Sequence, residues 1–113
     1  MKRIVPRPAD IEIVQEIDYY DGPTIFVGII NSKEMLFWNH AREDKYWSYL
    51  AIPNNAGLLD GLAAGTITMR EAYGKPGTWL VDLDGGWKIM RIQEFTEPTP
   101  EKYLCAEGVS LKS

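Results

Sequence analysis

The chain holds one cysteine, Cys105, and one histidine, His40, among its 113 residues. A lone cysteine excludes an intramolecular disulfide and any zinc site built from several thiolates. Cys105 itself reads as a small hydrophobe or a partly exposed thiol rather than a nucleophile. A lone histidine means that any Ser-His-Asp or Cys-His machinery would have to use His40. That residue falls at a strand end beside a charged loop, where Asn39-His40 is an ordinary turn pair.

Long apolar runs are also missing. Nothing approaches the ~20 residues of a membrane helix, and MKRIVPRP lacks the apolar stretch of a signal peptide. No membrane partner is expected, and the expected location is cytoplasmic. No carboxylate run has the spacing of a calcium loop, and neither glycine-rich phosphate-binding pattern occurs. Neither metal nor cofactor is expected. The basic residues are scattered, and 12 of them against 16 acidic ones leave a net charge of −4. A nucleic-acid backbone is therefore not the expected partner.

Apolar residues are plentiful. They make up 45% of the chain, enough for one core at this length, so residues 1–113 are expected to form a single domain. Pro6 and Pro8 make 1–9 an extended lead-in. IEIVQEIDYY alternates: Ile11, Ile13, Ile17 and Tyr19 on one face, Glu12, Glu16 and Asp18 on the other with Val14. Asp21-Gly22-Pro23 is a turn. TIFVGII is apolar on both faces, as in a central strand, and Gly28 suggests a bulge or a close approach. EMLFWNH (34–40) and YWSYLAIP (46–53) give two more strands around a charged loop.

The period then changes. Leu58, Leu59, Leu62 and Ala63 recur at helical spacing, with Asn54 or Asn55 as N-cap and Gly65 as the stop. Thr68 with Glu71 forms a capping box for a second short helix, whose inner face is Met69, Ala72 and Tyr73. TWLVDLD follows, with Trp79, Val81 and Leu83 inward and Asp82 and Asp84 outward. A Gly85-Gly86 hairpin leads into WKIMRIQEF. An extended tail covers 96–113, anchored by Tyr103, Leu104 and Val109. The order predicts an α+β fold. Its sheet is curved, mostly antiparallel and of about six strands, partly closed like a barrel, with one or two short helices between strands four and five.

The strand aromatics carry the functional expectation. In YWSYLAIP, Tyr46, Leu50 and Ile52 share one face, and Trp47, Tyr49 and Ala51 the other. A second layer, a homodimer interface or a ligand groove must cover one of them. Tyr and Trp favour interfaces and also stack on nucleobases. The first reading is a non-enzymatic module that binds a protein partner, through Asp18, Tyr20, Trp38, Trp47, Tyr49 and Arg42. The second is sequestration of a small nucleotide-like ligand among aromatics, aided by Arg42, Arg70 or Arg91. The third is a small hydrolase using Asp18, Asp21 or His40.

YYDGP before a strand, then W-x-Y-L-A-I-P, then I-T-M-R-E-A-Y resemble an uncharacterised family of small bacterial and phage proteins, a domain of unknown function. The resemblance spans roughly residues 11 to 110. It implies no activity and no catalytic residues. It does imply a bacterial or phage setting, where small proteins of this kind bind and modulate larger ones such as host defence or regulatory proteins.

Overall fold

The computed structural model describes residues 11–19, 23–85 and 88–104. Six strands form one antiparallel sheet in sequence order: β1 (Glu12–Tyr19), β2 (Pro23–Ile30), β3 (Lys33–Arg42), β4 (Trp47–Pro53), β5 (Trp79–Leu83) and β6 (Ile89–Glu94). Helices α1 (Leu58–Ala64) and α2 (Met69–Tyr73) lie between β4 and β5, which still pair directly. The expected α+β fold, strand number and helix position hold. The expected closure does not: the sheet is open and not strongly curled, with β1 and β6 as its two outer strands. Among the described residues each pairs on one side only, and no ladder joins the ends into a barrel.

The sheet separates two clusters of buried side chains. On the first face, Ile25, Val27, Leu36, Leu50, Ile52 and Leu80 pack under Leu62 of α1 and Met69, Ala72 and Tyr73 of α2. On the second face, Phe26, Phe37 and Tyr49 are fully buried and form a ring cluster. Phe26 and Phe37 stack at 4.7 Å, and Phe26 meets Tyr49 edge-on at 5.5 Å. The described members of this second cluster all come from strands or from Ile11 just before β1.

Simple alternation fails in β1. Its pairing with β2 slips between Ile13 and Gln15 and again between Glu16 and Asp18. Each slip places two residues opposite one and flips the facing of those that follow. Ile11 and Ile13 therefore pack on the second face, while Ile17 packs on the first. Gly28 stands opposite Ile13, and a Cβ there would come within 2.9 Å of the Ile11 side chain. That close approach is what the glycine permits.

α2 is built as its sequence predicts. Thr68 accepts from the Glu71 backbone N–H, and the Thr68 N–H donates to the Glu71 carboxylate. That backbone donor holds the Glu71 carboxyl below the usual carboxylate range. Met69, Ala72 and Tyr73 are its buried residues. α1 differs from expectation at its start. Its N-cap is Gly57, at φ 84° and with no side-chain cap, and the Asn54 amide donates to the Glu34 carboxylate across the hairpin. Ala63 faces solvent, and Leu62 alone of α1 is fully buried. Gly61 lets Ile67 cross the helix: a Cβ would sit 2.5 Å from its Cδ1.

Two further boundaries shift. Ala41 and Arg42, expected in a loop, extend β3, because Asn39 bridges to the Ser48 carbonyl of β4. The β5–β6 connection is closed by Asp84 and Lys88: the Asp84 N–H donates to the Lys88 carbonyl, and the Lys88 N–H to the Asp84 carboxylate. Gly86 of the expected two-glycine turn lies outside the described residues. The chain after β6 is not wholly extended, since Glu101–Tyr103 makes one 3-10 turn that brings Tyr103 and Leu104 onto the first cluster. Val109 lies outside the described residues, as do Cys105 and the lead-in 1–9.

The β2–β3 hairpin turns through Asn31 and Ser32, both at positive φ (51° and 67°). Asparagine tolerates this conformation, but serine meets its Cβ penalty there. Ser32→Gly is therefore expected to stabilise the chain by roughly 0.5–1 kcal/mol, read as a rise in melting temperature. A fall would show that the turn is not under this strain.

Candidate functional site

On the first face, past α2, four polar residues line up across neighbouring strands. Ala41 of β3 stands opposite Ser48 of β4, Ser48 opposite Asp82 of β5, and Asp82 opposite Arg91 of β6. The β3–β4 pairing slips between Asn39 and Ala41, which leaves His40 as the extra residue of a bulge. Its Nε2 lies 2.7 Å from Ser48 Oγ. Asn39 holds the bulge in place by donating to the carbonyls of Ala41 (2.8 Å) and Ser48 (2.9 Å). Its Oδ1 accepts from Arg42 Nε.

Ser48 and Asp82 are both buried, each about 5% exposed. Arg91 Nε donates to Asp82 Oδ2 at 2.9 Å. The other carboxylate oxygen, Oδ1, is shut off from solvent and has no hydrogen-bond partner among the described residues. Burying a carboxylate oxygen without a donor is costly.

Aromatic rings stand around this row. The Tyr103 ring meets His40 edge-on at 5.2 Å and stacks on Phe95 at 5.6 Å. It thus bridges from β3 to the residue just after β6. Trp38 lies against both His40 (6.2 Å) and Tyr73 (5.7 Å). The Tyr73 hydroxyl donates to the Leu36 carbonyl. The segment that carries Tyr103 is tied down by Thr99, whose hydroxyl donates to the Tyr73 carbonyl, and by a two-pronged pair between Arg70 and Glu101.

Burial holds the His40 pKa below its ordinary value, with Asp82 pulling it up and Arg91 pushing it down. The unfolded chain therefore takes up this proton first as the pH falls through about 6.5. The stabilisation due to neutral His40 is complete above that pH and is lost as the pH falls through the lower folded value. Melting temperature should therefore decline between pH 7 and 5.5, and His40→Gln, which can still bond Ser48, should flatten the decline. Glu71 and Glu101, both held below the usual carboxylate range, act only below about pH 4.5. An unchanged slope in the variant would assign the decline to other groups.

Of the six residues expected to form a binding surface, the five that are described do not converge. Asp18 is exposed on β1, opposite Ile25, which stands opposite Trp38. Trp38 is half-buried beside His40 on the first face. Trp47 and Tyr49 belong to the second face. Arg42 lies over the Trp47 ring at 3.8 Å. Tyr49 is fully buried, which pushes its pKa up against the pull of Arg42, so it cannot present a surface. Tyr20 and Asp21 lie outside the described residues. His40 is not with Asp18 either: β2 runs between their strands, a spacing of roughly 10 Å.

Ser48 and Tyr103 carry no functional expectation in the sequence, and Asp82 is expected there only on an outward face shared with Asp84. Alternation alone puts Asp82 on a solvated face. In fact β5 is an inner strand, and the Arg91 and His40 side chains stand on that face with it. The signal was available: Asp82 and Ser48 are the polar residues inside WLVDL and WSYLAI, two strands otherwise wholly apolar.

The Ser-His pair is not arranged for nucleophilic catalysis. Asp82 makes no hydrogen bond to His40. Ser48 is buried near the start of β4 and paired on both sides, so the local backbone N–H groups serve the sheet and not an oxyanion. Elsewhere, a shallow groove of about 640 Å³ runs between the end of β4, α1, α2 and the turn at 75–78. Its carboxylate, Glu71, is spent in the capping box. Among the described residues, no group of three or more His, Cys, Asp or Glu is placed to hold a metal ion, and no helix is long and apolar enough to cross a membrane. No family model, curated protein or solved structure matches this chain.

Proposed function

We propose that the chain is a non-catalytic binding module for a small ligand, with its recognition site at the His40–Ser48–Asp82–Arg91 row. The observation that carries this reading is Asp82 Oδ1, a buried acceptor without a donor. A carboxylate kept at an energetic disadvantage inside a sheet is a mark of function rather than stability. A ligand that brings an N–H or O–H to that oxygen removes the disadvantage on binding.

Thermal melting across a broad panel of small metabolites, on the wild type and on Asp82→Asn, tests the reading. At about a hundredfold excess over its Kd, a specific ligand adds about 2.7 kcal/mol, a shift of many degrees for a domain of this size. The expected result is a shift in the wild type that is lost in the variant. No shift from any compound, or equal shifts in both, would end this reading.

Recognition of a protein partner is the second reading. It is favoured by Val14 on β1 and by Met90 and Ile92 on β6, large apolar side chains about half exposed on the two outer strands. Such edges accept an added strand from a partner or from a second copy of the chain. On this reading Ile92→Lys abolishes partner capture and leaves melting unchanged. Capture that survives the charge would rule out the β6 edge.

A further inference from the structure

We infer that the ligand of this site is a nucleotide, with its base on Asp82 and its anionic arm on Arg91. The inference rests on the reading that Asp82 Oδ1 receives a ligand donor. Three features of the site narrow the chemistry. The acceptor is a single carboxylate oxygen, which takes a donor such as a base N–H and rejects an acceptor-only edge. The surroundings are rings: Trp38, His40, Tyr103 and Phe95 form one connected set, and a planar heterocycle is the shape that such rings hold. Arg91 spends its Nε on Asp82 and keeps 54% of its side chain in solvent. The rest of its guanidinium is available to a phosphate.

Asp82 Oδ1 has no exposed surface, so entry needs a neighbouring group to move. Tyr103 is the ring placed to do so. It belongs to no strand or long helix, and the segment bearing it is tied to α2 through the surface pair Arg70–Glu101. A base can take its stacking place on Phe95 while the sheet ladder stays intact.

Calorimetric titration of the folded full chain with the four ribonucleoside 5′-monophosphates, and with the corresponding nucleosides, tests this inference. At least one monophosphate should bind the wild type. Asp82→Asn should weaken that nucleotide at least roughly tenfold, and removal of the phosphate should weaken it by a similar factor. Tyr103→Ala should bind at least as tightly as the wild type, because no ring then competes for the slot. Failure of all four monophosphates at millimolar concentration, or equal binding by Asp82→Asn, overturns the inference. So does a Tyr103→Ala variant that stays folded but loses binding. If amines or amino acids stabilise the wild type through Asp82 while nucleotides do not, the nucleotide assignment falls and the small-ligand reading stands. If nothing binds through Asp82, both fall.

Discussion

Phe37→Ala is expected to cost about 3–5 kcal/mol of folding free energy. That is a large share of the roughly 5–15 kcal/mol that holds a domain of this kind together. Phe37 is fully buried in the middle of β3, stacked on Phe26 and edge-on to Tyr49. Its loss removes transfer free energy and leaves a hole beneath two rings that are held by their own strands and cannot collapse into it. Trp47→Ala is the useful contrast, because Trp47 is larger but only half-buried, against Arg42 at its rim. It should cost less than Phe37→Ala despite deleting more atoms. Chemical denaturation of both variants reads the difference, and a greater loss for Trp47 would place the weight of the second face at its edge instead of its centre.

Arg91→Ala is expected to cost about 1.5–3 kcal/mol, less than the 3–5 kcal/mol of a fully buried pair because the guanidinium is half in solvent. The loss arises from what stays behind: a buried Asp82 carboxylate with neither oxygen paired. Asp82→Asn should behave in the opposite way. It removes the buried charge and frees an arginine that water already reaches, so its stability should lie within about 1 kcal/mol of the wild type or above it. In the double variant, Asp82→Asn should recover most of what Arg91→Ala loses. Urea unfolding of the three variants measures this cycle. A large loss from Asp82→Asn alone would make the carboxylate a structural group and remove the argument for a ligand.

The sheet was legible in the sequence because its signals are local. Two-sided apolar strands such as TIFVGII report inner positions, and the Thr68–Glu71 box marks the start of α2 without any tertiary information. Face assignments failed where pairing slips. Ile17 changes sides because of irregularities in β1 that period-two reasoning cannot see. The candidate site was harder to find for the same reason. His40 reaches Ser48 through a bulge, and Asp82 meets Arg91 only because β6 folds back beside β5. Single residues and neighbouring pairs in the sequence do not reveal a row that comes from four strands. Aromatic content was legible, but its exposure was not: Tyr49 lies wholly inside, and Trp38 is half covered beside His40 and Tyr73.

The most direct test of the Asp82 site is a crystal structure with the nucleotide that binds most tightly, compared with nucleotide-free crystals. A base nitrogen should stand roughly 2.7–3.2 Å from Asp82 Oδ1, with Tyr103 displaced from His40 and the phosphate against Arg91. A protein donor or a fixed water on Oδ1 in both crystals, with the nucleotide elsewhere or absent, would contradict it.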